Sequence, residues 1–358
     1  MKRYLQIIAL IFLLPSCALL DPYRSVTYDQ PGSPWQSQLD PEAVGYSLEK
    51  LAEVGAYVET LSTDAIVVIT GGRVLWEYGD TTQLSYVASV RKSILAMLYG
   101  NYVANGTIDL DLTLADLGMN DVQGLLPIEQ LASVKDLIAA RSGVYHPASN
   151  PGGNLAEAPA RGSQEPGSYY LYSNWDFNAA GAVFEQLTGK NIYDALSTDL
   201  ARPLGFEHWN RSIHRKNGDT SRSVNKAYHM VLSTRDMAKL GELMLQEGSW
   251  QGVQLVPKDW VKTIISVTTP SEEMNPEYLS YGEFGFGYMW WVWDGDRVDC
   301  LFEGGYTARG AYGQYITVIP KLDMVVAHKT VPRDRTSWKE YKGILTRLAA
   351  SRKVPICS

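Results

Sequence analysis

The feature that most constrains this chain is the placement of its β-forming stretches at its two ends. Ala65 to Thr70 and Val74 to Tyr78 are apolar, β-rich runs separated by Gly71-Gly72-Arg73, strong turn chemistry for a hairpin. Strands return only late, where Tyr288 to Trp293, Val298 to Phe302, Gly313 to Ile319 and Met324 to His328 are alternating or apolar runs. Between them, from about 107 to 270, loops alternate with helical patterns at Val134 to Ala140, Asp176 to Leu187, and Thr234 to Glu247 behind a Ser233 and Asp236 capping pair. A sheet assembled from both ends of a chain leaves the middle of that chain outside it. The expectation is an α/β fold of the α+β type: an antiparallel sheet flanked by helices, formed from both chain ends, with an inserted, mostly helical lobe. The cleft between two such lobes is the natural place for a site.

Three further helices complete this outline. Ser47 has the character of an N-cap, with Leu48, Leu51, Ala52, Val58 and Leu61 at helical spacing behind it. Val90 to Val103 is mostly apolar and ends at Asn105-Gly106, a suitable C-cap pair, and Trp338 to Ser351 reads as a closing helix. Residues 45–358 thus form one large domain, within the range a single two-lobed core can fill.

The N-terminus is of another kind. Met1-Lys2-Arg3 precedes an apolar run from Ile7 to Leu14 and then Pro15-Ser16-Cys17, a secretory signal too short to span a bilayer. Leu14-Pro15-Ser16-Cys17 resembles the bacterial lipobox, which makes residues 1–16 a lipoprotein signal peptide and Cys17 the lipidated first residue of an exported protein. Ala18 in place of Asp suggests sorting to the outer membrane, facing the periplasm. The plain alternative is a signal peptide with an incidental cysteine. Residues 17–44 carry Pro22, Pro31, Pro34 and Pro41 among polar residues and read as a tether or extended arm. Cys300 and Cys357 are then an even pair in an oxidising compartment, where a disulfide is one option.

A net charge of −7 without a Lys/Arg run argues against nucleic acid and anionic membrane surfaces as partners, so membrane contact would come through the lipid on Cys17. Three Cys and five His show no metal-ligand spacing, and no cofactor is expected.

The chemistry centres on Ser89-Val90-Arg91-Lys92. Ser47 and Ser223 also precede a lysine by three residues, but Ser89 alone sits where a short loop meets a buried helix, with Lys92 one turn on and on nearly the same face. A serine hydroxyl is a weak nucleophile until a base takes its proton, and a lysine in a dry cleft has its pKa lowered enough to serve. Tyr172-Ser173-Asn174 follows Pro166-Gly167 and precedes a helix, which puts Tyr172 on a loop where a nearby cation could stabilise its phenolate and let it shuttle protons.

Ser89-x-x-Lys92, Tyr172-x-Asn174 about eighty residues later, and a late Gly-rich strand resemble the serine β-lactamase and penicillin-binding-protein superfamily. The Tyr-x-Asn form points toward class C β-lactamases, D-alanyl-D-alanine carboxypeptidases, family VIII esterases and 6-aminohexanoate-dimer hydrolases. The resemblance runs from about Gly45 to the C-terminus and is supported by Val134-Lys135-Asp136-Leu137, Arg141-Ser142-Gly143 and Ser233 to Ala238.

That resemblance implies a serine hydrolase cleaving an ester or amide of a small molecule through an acyl-enzyme on Ser89. Lys92 and Tyr172 would handle protons, and which of them is the base stays open because the two titrate together. Asn174 would orient Lys92 and the substrate. The backbone N–H groups of Ser89 and Ala311 would form the oxyanion hole, each worth on the order of 3 kcal/mol. Gly310 would let substrate approach the strand, and Tyr145 would contact it. Of Trp290 and Trp291, on opposite faces of a strand, at most one should meet substrate. The family's third motif matches Ala308-Arg309-Gly310, with Ala308 where a β-lactamase carries a cation for the drug's carboxylate; Arg309, expected on the face opposite Ala308, could partly replace it only by turning inward. Two rivals are a true β-lactamase or D-alanyl-D-alanine carboxypeptidase, and a lipoprotein that binds peptidoglycan or a partner without catalysis. Oligomeric state is not readable.

Overall fold

The computed structural model describes Trp35 and residues 40–279, 282–296, 298–330, 334–355 and 357. The expected leader, the lipidation site Cys17 and most of the tether lie outside them. Among the described residues, eight α-helices and thirteen strands follow in chain order: α1 Leu48–Val58, β1 Ala65–Thr70, β2 Arg73–Gly79, β3 Ser85–Tyr86, α2 Val90–Ala104, α3 Val134–Ile138, α4 Asn174–Thr188, α5 Ile192–Ala195, β4 Arg215–Asn217, β5 Ala227–His229, β6 Val231–Leu232, α6 Thr234–Leu245, β7 Ser249–Trp250, β8 Val253–Gln254, α7 Lys258–Ile264, β9 Phe284–Phe286, β10 Trp291–Trp293, β11 Tyr306–Gly310, β12 Gln314–Ile319, β13 Met324–Lys329 and α8 Trp338–Ala350.

One seven-stranded sheet organises the molecule, in the order β2-β1-β13-β12-β11-β10-β9, with each neighbouring pair antiparallel. The first two strands come from the N-terminal hairpin and the other five from the end of the chain, so β1 pairs with β13, with Ala65 opposite Lys329. Gly71 and Gly72, at φ +55° and +69°, supply the left-handed residues that this tight hairpin requires.

Strand alternation splits the apolar side chains between two cores. Ile66, Val68, Met324 and Val326 pack with α1 and α8, while Val67, Ile69, Val325 and Ala327 belong to the larger core that includes α2, α4 and α6. Each such Val, Ile or Met side chain contributes roughly 2 kcal/mol on burial. Capping fixes where the flanking helices begin. Ser47 accepts from Lys50 N, Ser233 from Asp236 N, and Ser337 forms a capping box with Glu340.

Two expectations need correction. Val298 to Phe302 is no strand: Asp299 accepts a hydrogen bond from Leu301 N, and Cys300–Phe302 winds into a single tight helical turn. The Tyr288 to Trp293 run splits, its strand beginning only at Trp291 and pairing with Phe284–Phe286, which the sequence pattern did not reveal. Cys300 and Cys357 form a disulfide, Cα to Cα 6.2 Å, tying that turn to the C-terminus. Among the described residues, no helix is long and apolar enough to cross a membrane.

Candidate active site

The turn between β3 and α2 carries Ala88 at φ +48°, a left-handed conformation that a residue with a Cβ adopts at a cost. It delivers Ser89 to the first position before α2, half-buried, in an αR conformation and with no capping hydrogen bond from its side chain. The capping role that an N-terminal serine commonly plays is absent, and the hydroxyl is free for other partners.

Those partners are at hand. Lys92, one turn into α2 and 2% exposed, places Nζ 2.8 Å from the Tyr172 hydroxyl and 2.7 Å from Asn174 Oδ1. Tyr172 shares the cavity wall with Ser89, whose hydroxyl pulls its phenol pKa down. The first residues of α4 fix the other side of this chain: Asn174 donates Nδ2 to Pro151 O at 2.9 Å, which leaves its oxygen turned to Lys92. Phe177 closes over Lys92 at 4.4 Å, excluding water.

Burial sets the protonation states. Desolvation, reinforced by the Arg91 guanidinium, holds the Lys92 amine well below its ordinary range, against an opposing pull from Asp176. Burial raises the Tyr172 phenol, while the Ser89 hydroxyl and the charges of Arg91 and Arg309 pull it back. Both shifts favour a neutral amine beside a neutral phenol over an ammonium and a phenolate. A neutral lysine beside a tyrosine that shares a cavity wall with a serine is a proton acceptor ready for use.

The site opens into a cavity of about 630 Å³ lined by Ser89, Tyr172, Asn174, Gly310 and Ala311, with Tyr86, His229, Trp291, Arg309 and Trp338 in its walls. Gly310 presses on the nucleophile's turn: a Cβ there would stand 2.7 Å from Val87 O and 3.2 Å from Ala88 Cβ. The close approach of this strand to the chain's own backbone thus requires a glycine here, at a position that also lines the cavity. Ala311 lines the same cavity as Ser89, and the next residue, Tyr312, is again left-handed at φ +69°. The backbone is thus strained beside both expected oxyanion donors.

The family model for Beta-lactamase matches residues 53–330. The chain belongs to the Beta-lactamase family. Like other members it is a serine hydrolase. It is 23% identical over 341 residues to the 6-aminohexanoate-dimer hydrolase of Paenarthrobacter ureafaciens, covering 85% of this chain and 81% of that protein. Among solved structures it is similar to a class C beta-lactamase mutant, at TM-score 0.61, 15% identity and coverage of 89% and 100% of the two chains. It is equally similar to EstCE1, a hydrolase with promiscuous acyltransferase activity, at TM-score 0.61, 16% identity and coverage of 84% and 98%.

Within this family member, the structure brings together Ser89, Lys92, Tyr172, Asn174, Gly310 and Ala311. It does not bring Tyr145, which is 5% exposed, does not line the cavity and buries a hydroxyl without a partner. The turn after Ser142 is tied inward, Ser142 Oγ donating to buried Asp176 at 2.7 Å, and this carries Tyr145 into the interior. Of the two tryptophans only Trp291 lines the cavity, while Trp290 packs on Tyr306 with ring centres 5.5 Å apart.

The expectation for the third motif is also revised. Ala308 and Arg309 do lie on opposite faces of β11, but Ala308 is fully buried in the core shared with α2, and Arg309 is the one that reaches the cavity. Trp338, from the far end of the chain, and the Asn150-Pro151-Gly152-Gly153 loop are cavity walls that sequence reasoning missed. The Pro-Gly-Gly cluster was a visible loop signal, but nothing in the sequence aimed it at Asn174.

Proposed function

We propose that this enzyme hydrolyses small esters or linear amides through an acyl-enzyme on Ser89. The observation that carries the reading is buried Lys92 bonded to both Tyr172 and Asn174, with Tyr172 and Ser89 together in the wall of an open cavity. As Ser89 Oγ attacks the carbonyl carbon, its proton passes to the Tyr172 oxygen while the Tyr172 proton passes to neutral Lys92 Nζ. The carbonyl oxygen gains its negative charge facing the N–H groups of Ser89 and Ala311, and the relay runs in reverse to protonate the leaving alcohol or amine. Water repeats the attack on the acyl-enzyme with the same relay as base.

The two rival serines have structural duties that support this assignment. Ser47 caps α1, and Ser223 Oγ donates to Asp121 at 2.6 Å in a buried network. A fluorophosphonate probe should add one phosphonyl group to the wild type by intact mass, and none to Ser89→Ala. Ser89→Ala should fold and lose at least about a thousandfold in kcat, whereas Ser47→Ala and Ser223→Ala should keep both labelling and turnover. Labelling of Ser89→Ala at the wild-type rate would move the nucleophile elsewhere.

The proposal extends to location: an exported protein anchored by lipid on Cys17, in the outer membrane facing the periplasm. The lipobox-like leader and a disulfide suited to an oxidising compartment support it. Cys17→Ser should move the protein from the membrane fraction to the soluble one. Retention on the membrane, with no lipid mass on the wild type, would refute the anchor.

A further inference from the structure

Residues 17–44 read in the sequence as a tether, yet Trp35, within that stretch, is half-buried and packs against the larger core of the domain. Its indole Nε1 donates to Gly72 O at 3.0 Å, in the turn of the β1–β2 hairpin, and its backbone N donates to Glu207 Oε1 at 3.1 Å. The ring meets that of Trp250 on β7 edge to face, with centres 6.0 Å apart, and the amine of Lys239 on α6 stands 5.9 Å from its centre. An indole has a large apolar body and a single N–H donor, and a surface that satisfies both at once holds it in one pose.

The partners of Trp35 are fixed by contacts of their own. Glu207 is oriented from behind by two cations, accepting from Arg235 Nε at 2.9 Å and pairing with Lys239 at 3.1 Å. Lys239 is 2% exposed and donates in turn to Gly205 O. Gly72 takes its left-handed conformation from the hairpin turn. The hairpin, the loop before β4, α6 and β7 thus converge on one residue of the arm.

This surface lies far from the catalytic cleft. Gly310 pairs with Gln314, the next residue Tyr315 pairs with His328, and His328 pairs with Ile66, which sets the cleft at the Ala65 end of β1. Gly72 follows Thr70 at the other end, roughly 17 Å away along the strand. Among the described residues, the cavity that Trp35 lines with Gly72, Lys239 and Trp250 shares no wall residue with the catalytic one.

We propose that Gly72, Glu207, Lys239 and Trp250 form a docking seat for the chain's own N-terminal arm, with Trp35 as its anchoring residue. The arm is thereby strapped to the end of the sheet opposite the catalytic cleft. The docking itself needs no membrane, but its consequence rests on the lipid-anchor reading above. Eighteen residues, at most about 60 Å of extended chain, then separate Cys17 from the domain, in place of the twenty-nine, about 100 Å, that run to buried Tyr46. The strap shortens the leash and draws it from the end of the molecule away from the site.

The test is fluorine NMR on the purified protein labelled with 5-fluorotryptophan, where the Trp35 signal is the one missing from Trp35→Phe. In the wild type that signal should be as broad as those of the buried tryptophans and displaced from the position of the free amino acid. Trp250→Ala should move it toward that position. Trp35→Ala should lower the unfolding midpoint by about 2 to 4 °C, and Trp35→Phe, which loses the Nε1 bond but keeps a ring, by about half as much. Both should keep kcat/KM on a soluble ester within about twofold of the wild type. Trp35→Ala and Trp250→Ala combined should lower the midpoint by less than the two single changes added together. A sharp wild-type Trp35 signal at the free position, or a signal and midpoints indifferent to Trp250, would overturn the seat. A docked signal that reverts to the free position on dilution would mean that the seat holds the arm of a second copy, which overturns the strap. Docking in a protein that carries no lipid on Cys17 would leave the seat standing and remove only the leash, together with the anchor reading.

Discussion

Two lysines are buried to nearly the same degree in this molecule, Lys92 in the cleft at 2% exposure and Lys329 at the end of β13 at 3%, and burial pushes both amines down. Their partners separate them. Lys329 donates Nζ to Ser85 O at 3.1 Å and to Leu232 O, and so stitches the main sheet to the β3 and β6 pair. Backbone carbonyls accept hydrogen bonds but have no proton to exchange. Lys92 faces a phenol that does, and that phenol shares a cavity wall with Ser89. A depressed lysine is therefore a structural device or a base according to what it can pass its proton to.

The comparison breaks most visibly in kcat. Lys92→Met, near in volume and without the amine, should cost about 10³-fold or more in kcat with an unchanged circular dichroism spectrum, and Tyr172→Phe should cost about 10²-fold or more by interrupting the relay. Lys329→Met should keep kcat within about tenfold, because the lost contacts are to main-chain oxygens that take no part in the proton relay, while altering the unfolding midpoint. Equal loss of kcat in folded Lys92→Met and Lys329→Met would show that burial, not the exchange partner, is what matters.

The same contrast explains how far the sequence could be read. Ser89, Lys92, Tyr172 and Asn174 were legible because their spacing is local: one helical turn joins the first pair, and two residues join the second at the start of α4. The hairpin and the capped helices were legible for the same reason. Phe284–Phe286 was not, being three residues long with no alternation to count. Tyr145 was misplaced because a side chain two residues past a Gly turn can be drawn to either side, and the Ser142 to Asp176 bond that decides the matter joins residues 34 apart. Strand alternation correctly put Ala308 and Arg309 on opposite faces but could not say which face meets the cavity. That is decided by the packing of Ala308 into the larger core, which turns Arg309 to the cavity beside Trp338.

The smallest effect is the most discriminating, because it isolates Lys329 by its titration. Its amine is pushed from 10.5 in the ordinary state down to about 7 in the folded protein by burial, with Asp236 and Asp64 pulling the other way. Between those two values the unfolded chain holds a proton that the folded chain has released. Stability therefore rises with pH across that window, at up to about 1.4 kcal/mol per pH unit for one group. Below about 7 both states are protonated, and the folded protein carries the full cost of a buried ammonium. The buried tyrosines act the opposite way only above about 10, where unfolded phenols ionise first. Urea midpoints taken from pH 7.5 to 9.5 thus stay clear of them. Lys92 contributes with the same sign, so the informative quantity is the wild type minus Lys329→Met, in which Lys92 cancels. That difference should shift in favour of the wild type by about 2.5 kcal/mol at most over the two pH units, after discounting the limiting slope near the folded pKa. Lys92→Met should keep the Lys329 slope. A difference that stays flat with pH would mean that Lys329 keeps its proton in the folded state, held by Ser85 O and Leu232 O as an ordinary ammonium. The two lysines would then differ in charge as well as in partners.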